Sequence, residues 1–196
     1  MGGSGLIITG DIGCYTLGAY PPLASMDTCT CMGASIGQAT GMEKAGVKEK
    51  LISVIGDSTF MHSGLTSLAN AIYNDSKITI IILDNMTTAM TGHQGHPGTG
   101  LSAKGQISPR VKLEDIITGM GINNLKVLDA FAIPQITSAV KAAIKSEELS
   151  VLIIRGECAP LRKRSNTYSF IDNDRCTFCK ACINLACTAI QNNNGV

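Results

Sequence analysis

Three short apolar segments, residues 51–55, 78–83 and 151–154, constrain this fold more than any other feature of the chain. Each is rich in β-branched residues, and none alternates apolar with polar side chains. A strand that is apolar on both faces must be covered on both faces, which is the condition of a parallel sheet held between helices. Leu6-Ile7-Ile8 and Lys126-Val127-Leu128 supply two further strands. Between the strands, helices are predicted over residues 34–45, 65–73, 113–120 and 134–145, the last opening on a proline whose missing N–H costs nothing in a first turn. Strand alternating with helix gives an open, mostly parallel α/β sheet with helices on both faces.

The alternation ends after Arg155. Residues 159–171 hold Pro160 and the basic run Arg162-Lys163-Arg164 and read as a linker between an α/β domain, residues 1–158, and a cysteine-bearing tail, residues 172–196. The basic run is most simply a solvated part of that linker, the alternative being a dock for an acidic electron carrier. The densest apolar run, residues 78–83, is far shorter than the roughly 18 residues of a bilayer span, so no membrane is expected. The opening MGGSGLIITG has no basic region ahead of a long apolar stretch, so a soluble, cytoplasmic protein is expected. A net charge of +1 leaves no footprint for nucleic acid. Outside a secretory context, eight cysteines point to thiol, metal or redox chemistry and not to structural disulfides.

The chemistry concentrates where two strands end. Gly56-Asp57-Ser58 follows the first strong strand, and Asp84-Asn85 closes the second, ahead of a loop running from Met86 to Gly92. Taken alone, the triplet is most simply a helix N-cap by Asp57 or Ser58. Adjacent parallel strands, however, put Asp57 and Asn85 side by side at the carboxyl edge, where such sheets bind ligands. One carboxylate, one amide oxygen and a nearby backbone carbonyl form part of a shell for Mg²⁺, which takes its other ligands from phosphates and water. A diphosphate-bearing cofactor is implied.

Gly56-Asp57-Ser58, then twenty-six intervening residues, then Asn85, resembles the thiamine-diphosphate signature, with Ser58 standing where glycine is commoner. Gly10-Asp-Ile-Gly-Cys-Tyr-Thr-Leu-Gly18, Asp27-Thr-Cys-Thr-Cys-Met-Gly-Ala-Ser-Ile-Gly37 and Thr91-Gly-His-Gln-Gly-His-Pro-Gly98 narrow it. With them the chain resembles, over nearly its whole length, the thiamine-diphosphate domain of the indolepyruvate:ferredoxin oxidoreductase large subunits. The resemblance implies Mg²⁺ held by Asp57, Asn85 and the Thr87 carbonyl. It implies cofactor binding by Gly10, Ile12, Gly13, Cys14, Gly33, Ser35, Ile36, Gly56, Asp57, Ser58, Asn85, Thr87, Met90 and Thr91, with Cys14, Cys29 and Cys31 as pocket lining. Gly10, Gly13, Gly33 and Gly37 suit tight turns and close approach to a cofactor, with the helix that starts near Gly33 aiming its N-terminus at the diphosphate; the alternative for any one of them is compact packing. His93 and His96 flank the loop expected over the diphosphate and are candidates for proton transfer or substrate binding, as is His62; the alternative for each is a structural or exposed histidine.

The activity implied is oxidative decarboxylation of indolepyruvate or another aryl 2-oxoacid to its acyl-CoA, with electrons passed through 4Fe-4S clusters to ferredoxin. The partners implied are a pyrimidine-binding domain, a small subunit, ferredoxin and coenzyme A. A beta chain of a pyruvate or 2-oxoglutarate oxidoreductase stays open as an alternative. So does a non-catalytic electron-transfer or metal-binding module in which the tail is the working part.

That tail carries Cys176, Cys179, Cys182 and Cys187 at x2, x2 and x4 spacing. The run is close to the bacterial ferredoxin pattern and fits a 4Fe-4S cluster, with zinc as the alternative. In two-cluster ferredoxins the fourth cysteine of a run serves the other cluster, so Cys187 is expected to belong to a second cluster; closure of a single four-cysteine site by Cys187 is the alternative. By resemblance, the longer gap before Cys187 matches the first cluster motif of indolepyruvate oxidoreductases.

Overall fold

The architecture comes from a computed structural model that describes residues 5–163, 171–172 and 174–185. Six strands form one sheet: β1 (Leu6–Gly10), β2 (Thr28–Cys29), β3 (Lys50–Gly56), β4 (Thr79–Asp84), β5 (Leu125–Asp129) and β6 (Ser150–Arg155). Their order is β2-β1-β3-β4-β6-β5, and every pairing is parallel. The expectation of a mostly parallel sheet is thus met by a wholly parallel one. The unforeseen strand, β2, has two residues, too few for any pattern to betray it.

The helices are α1 (Ser35–Lys44), α2 (Asp57–Thr59), α3 (Leu65–Tyr73), α4 (Leu113–Gly119), α5 (Ile133–Lys145) and α6 (Ala181–Asn184). A π-helical turn, Phe60–Gly64, joins α2 to α3. It follows that helix begins at Asp57 itself, eight residues ahead of the predicted start at Leu65. Pro134 lies in the first turn of α5, where the missing N–H costs no hydrogen bond.

Strand residues divide by parity between two apolar layers. Ile55, Ile80, Ile82, Val151 and Ile153 pack with Ile36 of α1, Leu68 and Ala71 of α3 and Leu113 and Ile117 of α4. Leu152, with the half-buried Ile81 and Leu128, meets Ala139 and Ala143 of α5 on the opposite face. Covering both faces is why the strands need no polar alternation. Burying a large aliphatic side chain in such layers contributes about 1.5–3 kcal/mol. Between Arg155 and Ala181 the described residues form neither helix nor strand. Among the described residues no helix is long and apolar enough to cross a membrane.

Candidate cofactor site

The site begins where β3 stops. The Gly56 N–H donates to the Tyr15 hydroxyl at 2.9 Å, so the strand end is tied to the loop after β1. Burial, and next the charge of Asp11, push the Tyr15 phenol well above its usual range, so it stays protonated. Gly13 permits this closeness, because a Cβ there would collide with the Tyr15 ring. Thr16 staples the same loop, accepting the Gly13 N–H and donating to the Asp11 carbonyl, each at 2.8 Å.

Asp57, next in sequence, is buried and holds three donors. Its Oδ1 accepts the Ser58 N–H at 2.8 Å, and its Oδ2 accepts the Met86 N–H at 2.8 Å and lies 3.2 Å from His96 Nε2. Met86 reaches it because its backbone is left-handed, φ 60°, a conformation costly for a non-glycine residue and concentrated at functional sites. The same N–H lies 3.2 Å from Asp84 Oδ1, which places two carboxylates side by side. Burial raises the Asp84 carboxyl above its usual range; the neighbouring Asp57 adds to this and Arg155 opposes it. Asn85 Oδ1 accepts the Thr87 N–H at 3.1 Å, and Ser58 Oγ lies 2.7 Å from Thr88 Oγ1. The serine that replaces the commoner glycine therefore links the end of β3 to the loop after β4.

These strand ends open into a cleft of about 220 Å³. Of the residues that the resemblance implies, Ile12, Gly13, Cys14, Gly56, Asp57, Ser58, Asn85, Thr87, Met90 and Thr91 line it. Tyr15, Met32, Thr59, Leu83, Thr88 and Ala89 also line it and were not foreseen. Tyr15 and Met32 fall inside the glycine-rich stretches 10–18 and 27–37, and neither residue type carries a separate signal in sequence.

Gly10, Gly33, Ser35 and Ile36 are outside the lining. Gly10 packs against Met26, and Ile36 is wholly buried in the core. Gly33 donates its N–H to the Asp11 carboxylate at 2.9 and 2.7 Å, and Ser35 Oγ donates to Asp11 Oδ2 at 3.3 Å. The N-terminus of α1, expected to face a diphosphate, is thus met by a side chain of the chain itself. Burial pushes the Asp11 carboxyl up, against the pull of the Ile12, Gly33 and Ser35 donors. Gly33 is required here: its φ is +90°, and a Cβ would run into Ser63 Oγ.

The three histidines part company. His96 is buried against Asp57, while His62 and His93 are exposed. His93 Nε2 lies 3.6 Å from Cys158 Sγ. Cys14 lines the cleft, whereas Cys29 and Cys31 are exposed and outside its lining. In the tail, Cys176, Cys179 and Cys182 are free thiols. The Ala181 N–H, and after it the Thr177 hydroxyl, draw the exposed Cys179 thiol down. Among the described residues no three of His, Cys, Asp and Glu gather as a metal group. Cys187 lies outside the described residues.

The donor set suits Mg²⁺. Asp57, Asn85 and Thr87 offer a carboxylate, an amide oxygen and a backbone carbonyl from the lining of one cleft, and hard oxygen ligands in small number are what this ion takes beside a phosphate ligand.

Comparison with known proteins bears on the same region. The chain is 39% identical over 186 residues to indolepyruvate oxidoreductase subunit IorA of Archaeoglobus fulgidus, an alignment covering 92% of this chain and 30% of that protein. To its namesake from Thermococcus kodakarensis it is 42% identical over 205 residues, covering 94% of this chain and 32% of the relative. The chain therefore spans about a third of the length of the curated relatives it matches. The fold is similar to that of a 2-oxoglutarate:ferredoxin oxidoreductase from Magnetococcus marinus solved with 2-oxoglutarate, coenzyme A and succinyl-CoA bound, with a TM-score of 0.72 at 17% identity over 82% of this chain and 57% of that one. Residues 11–154 match the family described as thiamine pyrophosphate enzyme, C-terminal TPP binding domain, and this span holds every strand end and loop residue of the cleft described above. The chain belongs to the thiamine pyrophosphate enzymes and carries their C-terminal TPP-binding domain.

Proposed function

We propose that this chain is the thiamine-diphosphate-binding part of a 2-oxoacid oxidoreductase acting on indolepyruvate or another aryl 2-oxoacid. The observation that carries the reading is the convergence of Asp57, Asn85 and Thr87 on one cleft, in a chain about 40% identical to subunits named for indolepyruvate. Bound thiamine diphosphate supplies the nucleophilic carbon and the electron sink that decarboxylation of a 2-oxoacid needs. The chain's own residues bind and orient. Asp57, Asn85 and the Thr87 carbonyl hold Mg²⁺, which neutralises the diphosphate and fixes its place. The Ser58–Thr88 contact holds the loop bearing Met90 and Thr91 against the end of β3. Tyr15, whose oxygen accepts the Gly56 N–H, keeps its own proton for an acceptor in the cleft.

In the same reading, Cys176, Cys179 and Cys182 hold a 4Fe-4S cluster, and Cys187 serves a second one. Such clusters would supply electron-transfer chemistry toward ferredoxin, and coenzyme A, the pyrimidine-binding domain and the small subunit would complete the enzyme. The test is anaerobic purification of the complete enzyme, analysis for thiamine, magnesium, iron and sulfide, and turnover with indolepyruvate, pyruvate and 2-oxoglutarate in parallel. Preference for indolepyruvate is the expected result. Preference for 2-oxoglutarate or pyruvate would reassign the substrate, and a preparation without thiamine diphosphate that cannot be loaded with it would end the reading.

A further inference from the structure

We propose that His96 is a positioning residue for Asp57, and that it acts as a neutral hydrogen-bond donor and not as a proton carrier. This rests on the reading of Asp57 as a metal ligand. The two side chains are 6% and 4% exposed, with His96 Nε2 3.2 Å from Asp57 Oδ2. The other ring nitrogen settles the tautomer: Nδ1 lies 3.2 Å from the Gly98 N–H, a group that can only donate, so Nδ1 accepts. A neutral imidazole has one N–H, which must then be on Nε2 and point at Asp57.

The ring is held from its own backbone. His96 opens the 3-10 turn Pro97–Thr99, and its carbonyl accepts the Thr99 N–H at 2.9 Å and the Thr99 hydroxyl at 2.8 Å. The Pro97 carbonyl accepts the Val111 N–H at 3.0 Å, which anchors the turn to the segment ahead of α4. Neither ring nitrogen is directed to the cleft, and His96 is not part of its lining.

The consequence falls on Asp57. Its Oδ2 receives two donors, Met86 N–H and His96 Nε2–H, while Oδ1 receives the Ser58 N–H. Each carboxylate oxygen has about two lone-pair sites, so Oδ2 is filled and Oδ1 keeps one for a cation. His96 thereby decides which oxygen faces the metal. It also offsets the repulsion from Asp84, which shares the Met86 N–H. Groups that orient a metal ligand in this way typically affect metal affinity 10–100-fold.

The test uses His96→Asn and His96→Gln in the full chain with its complementary subunits, titrated with Mn²⁺ by electron paramagnetic resonance in the presence of thiamine diphosphate. The glutamine amide nitrogen reaches the place of Nε2, whereas that of asparagine falls at the place of Nδ1. His96→Asn is expected to weaken Mn²⁺ binding about tenfold or more, with His96→Gln losing clearly less than about tenfold. Equal loss in both variants would show that ring packing and not the donated proton matters, and would overturn the proposal, as would no loss in either. Wild-type protein that binds no Mn²⁺ with thiamine diphosphate overturns the cofactor reading and this inference with it. An independent measurement on the metal-free wild type, long-range ¹⁵N–¹H correlation of the imidazole, is expected to find the proton on Nε2. A proton on Nδ1 overturns the proposal even where the cofactor binds.

Discussion

Arg155 Nε–H donates to Asp84 Oδ2 at 2.6 Å, joining residues that are register partners at the ends of β6 and β4. The guanidinium also donates through Nη1 to Glu114 Oε1 at 2.8 Å. One cation thus stands behind the paired carboxylates Asp84 and Asp57, on a strand that contributes no residue to the cleft lining. It offsets the cost of burying two like charges where a metal and a diphosphate are proposed to meet.

Glu114 carries a pH dependence whose sign is fixed. The Arg155 hydrogen bond holds its carboxyl below its ordinary 4.5, so its contribution is present above that value and is lost as pH falls through the folded-state value. Asp84, raised by burial, works with the opposite sign, favouring the folded state on acidification. Glu114→Gln should therefore flatten the loss of stability below pH 4.5, by less than about 1 kcal/mol because the pair is partly solvated. Urea unfolding across an acid pH series measures it, and parallel curves for variant and wild type would contradict the assignment.

Asp57→Ala removes the carboxylate, leaves His96 Nε2 without its acceptor and leaves the Met86 N–H with only the longer contact to Asp84 Oδ1. Mg²⁺-dependent thiamine diphosphate binding should weaken by well over about tenfold, the lower end of what supporting groups alone cost. Calorimetric titration decides, and unchanged affinity would remove Asp57 from the metal site.

Gly33→Ala and Gly46→Ala separate two costs. Both positions have φ +90°, but a Cβ meets Ser63 Oγ at Gly33 and open space at Gly46. Gly46→Ala should cost only the left-handed backbone term, about 1 kcal/mol. Gly33→Ala should cost more, up to about 3 kcal/mol, because Ser63 must give way while the Gly33 N–H still serves Asp11. Equal thermal shifts in the two variants would show that Ser63 yields freely.

The tail is tested by anaerobic reconstitution with iron and sulfide. Cys179→Ser should abolish the cluster signal, whereas Cys187→Ser should leave the cluster on Cys176, Cys179 and Cys182 nearly intact if Cys187 serves another. Equal loss would place all four cysteines on one cluster.

The strands and long helices were legible because their signal is local: β4 is readable from six consecutive residues and α5 from an apolar face behind a proline. That Asp57 and Asn85 meet at one sheet edge was legible through their spacing, and both line the cleft. What escaped depends on groups distant in sequence. His96 and Asp57 lie 39 residues apart, and Arg155 and Asp84 lie 71 apart, so neither pair leaves a pattern in any window. Asp11 escaped for a different reason. One aspartate after a strand fits a cap, a turn or a ligand, and only the fold brings Gly33 and Ser35 to it.

The π-helical turn at Phe60–Gly64 works as a slip joint. Upstream, the angular setting of the helix is dictated by Asp57 at the cleft; downstream, by Leu68 and Ala71, which must face the sheet. A π turn absorbs one residue more than an α turn, about 100° of rotation, and so reconciles the two settings. Removing the exposed His62 should let the backbone close into ordinary α-helix with both ends still correctly turned. Removing one residue within α3 would rotate part of its buried face into water. Thermal unfolding of the two deletions should rank them in that order, which makes this turn the point between Asp57 and Tyr73 where the helix can lose a residue and keep both of its ends in register.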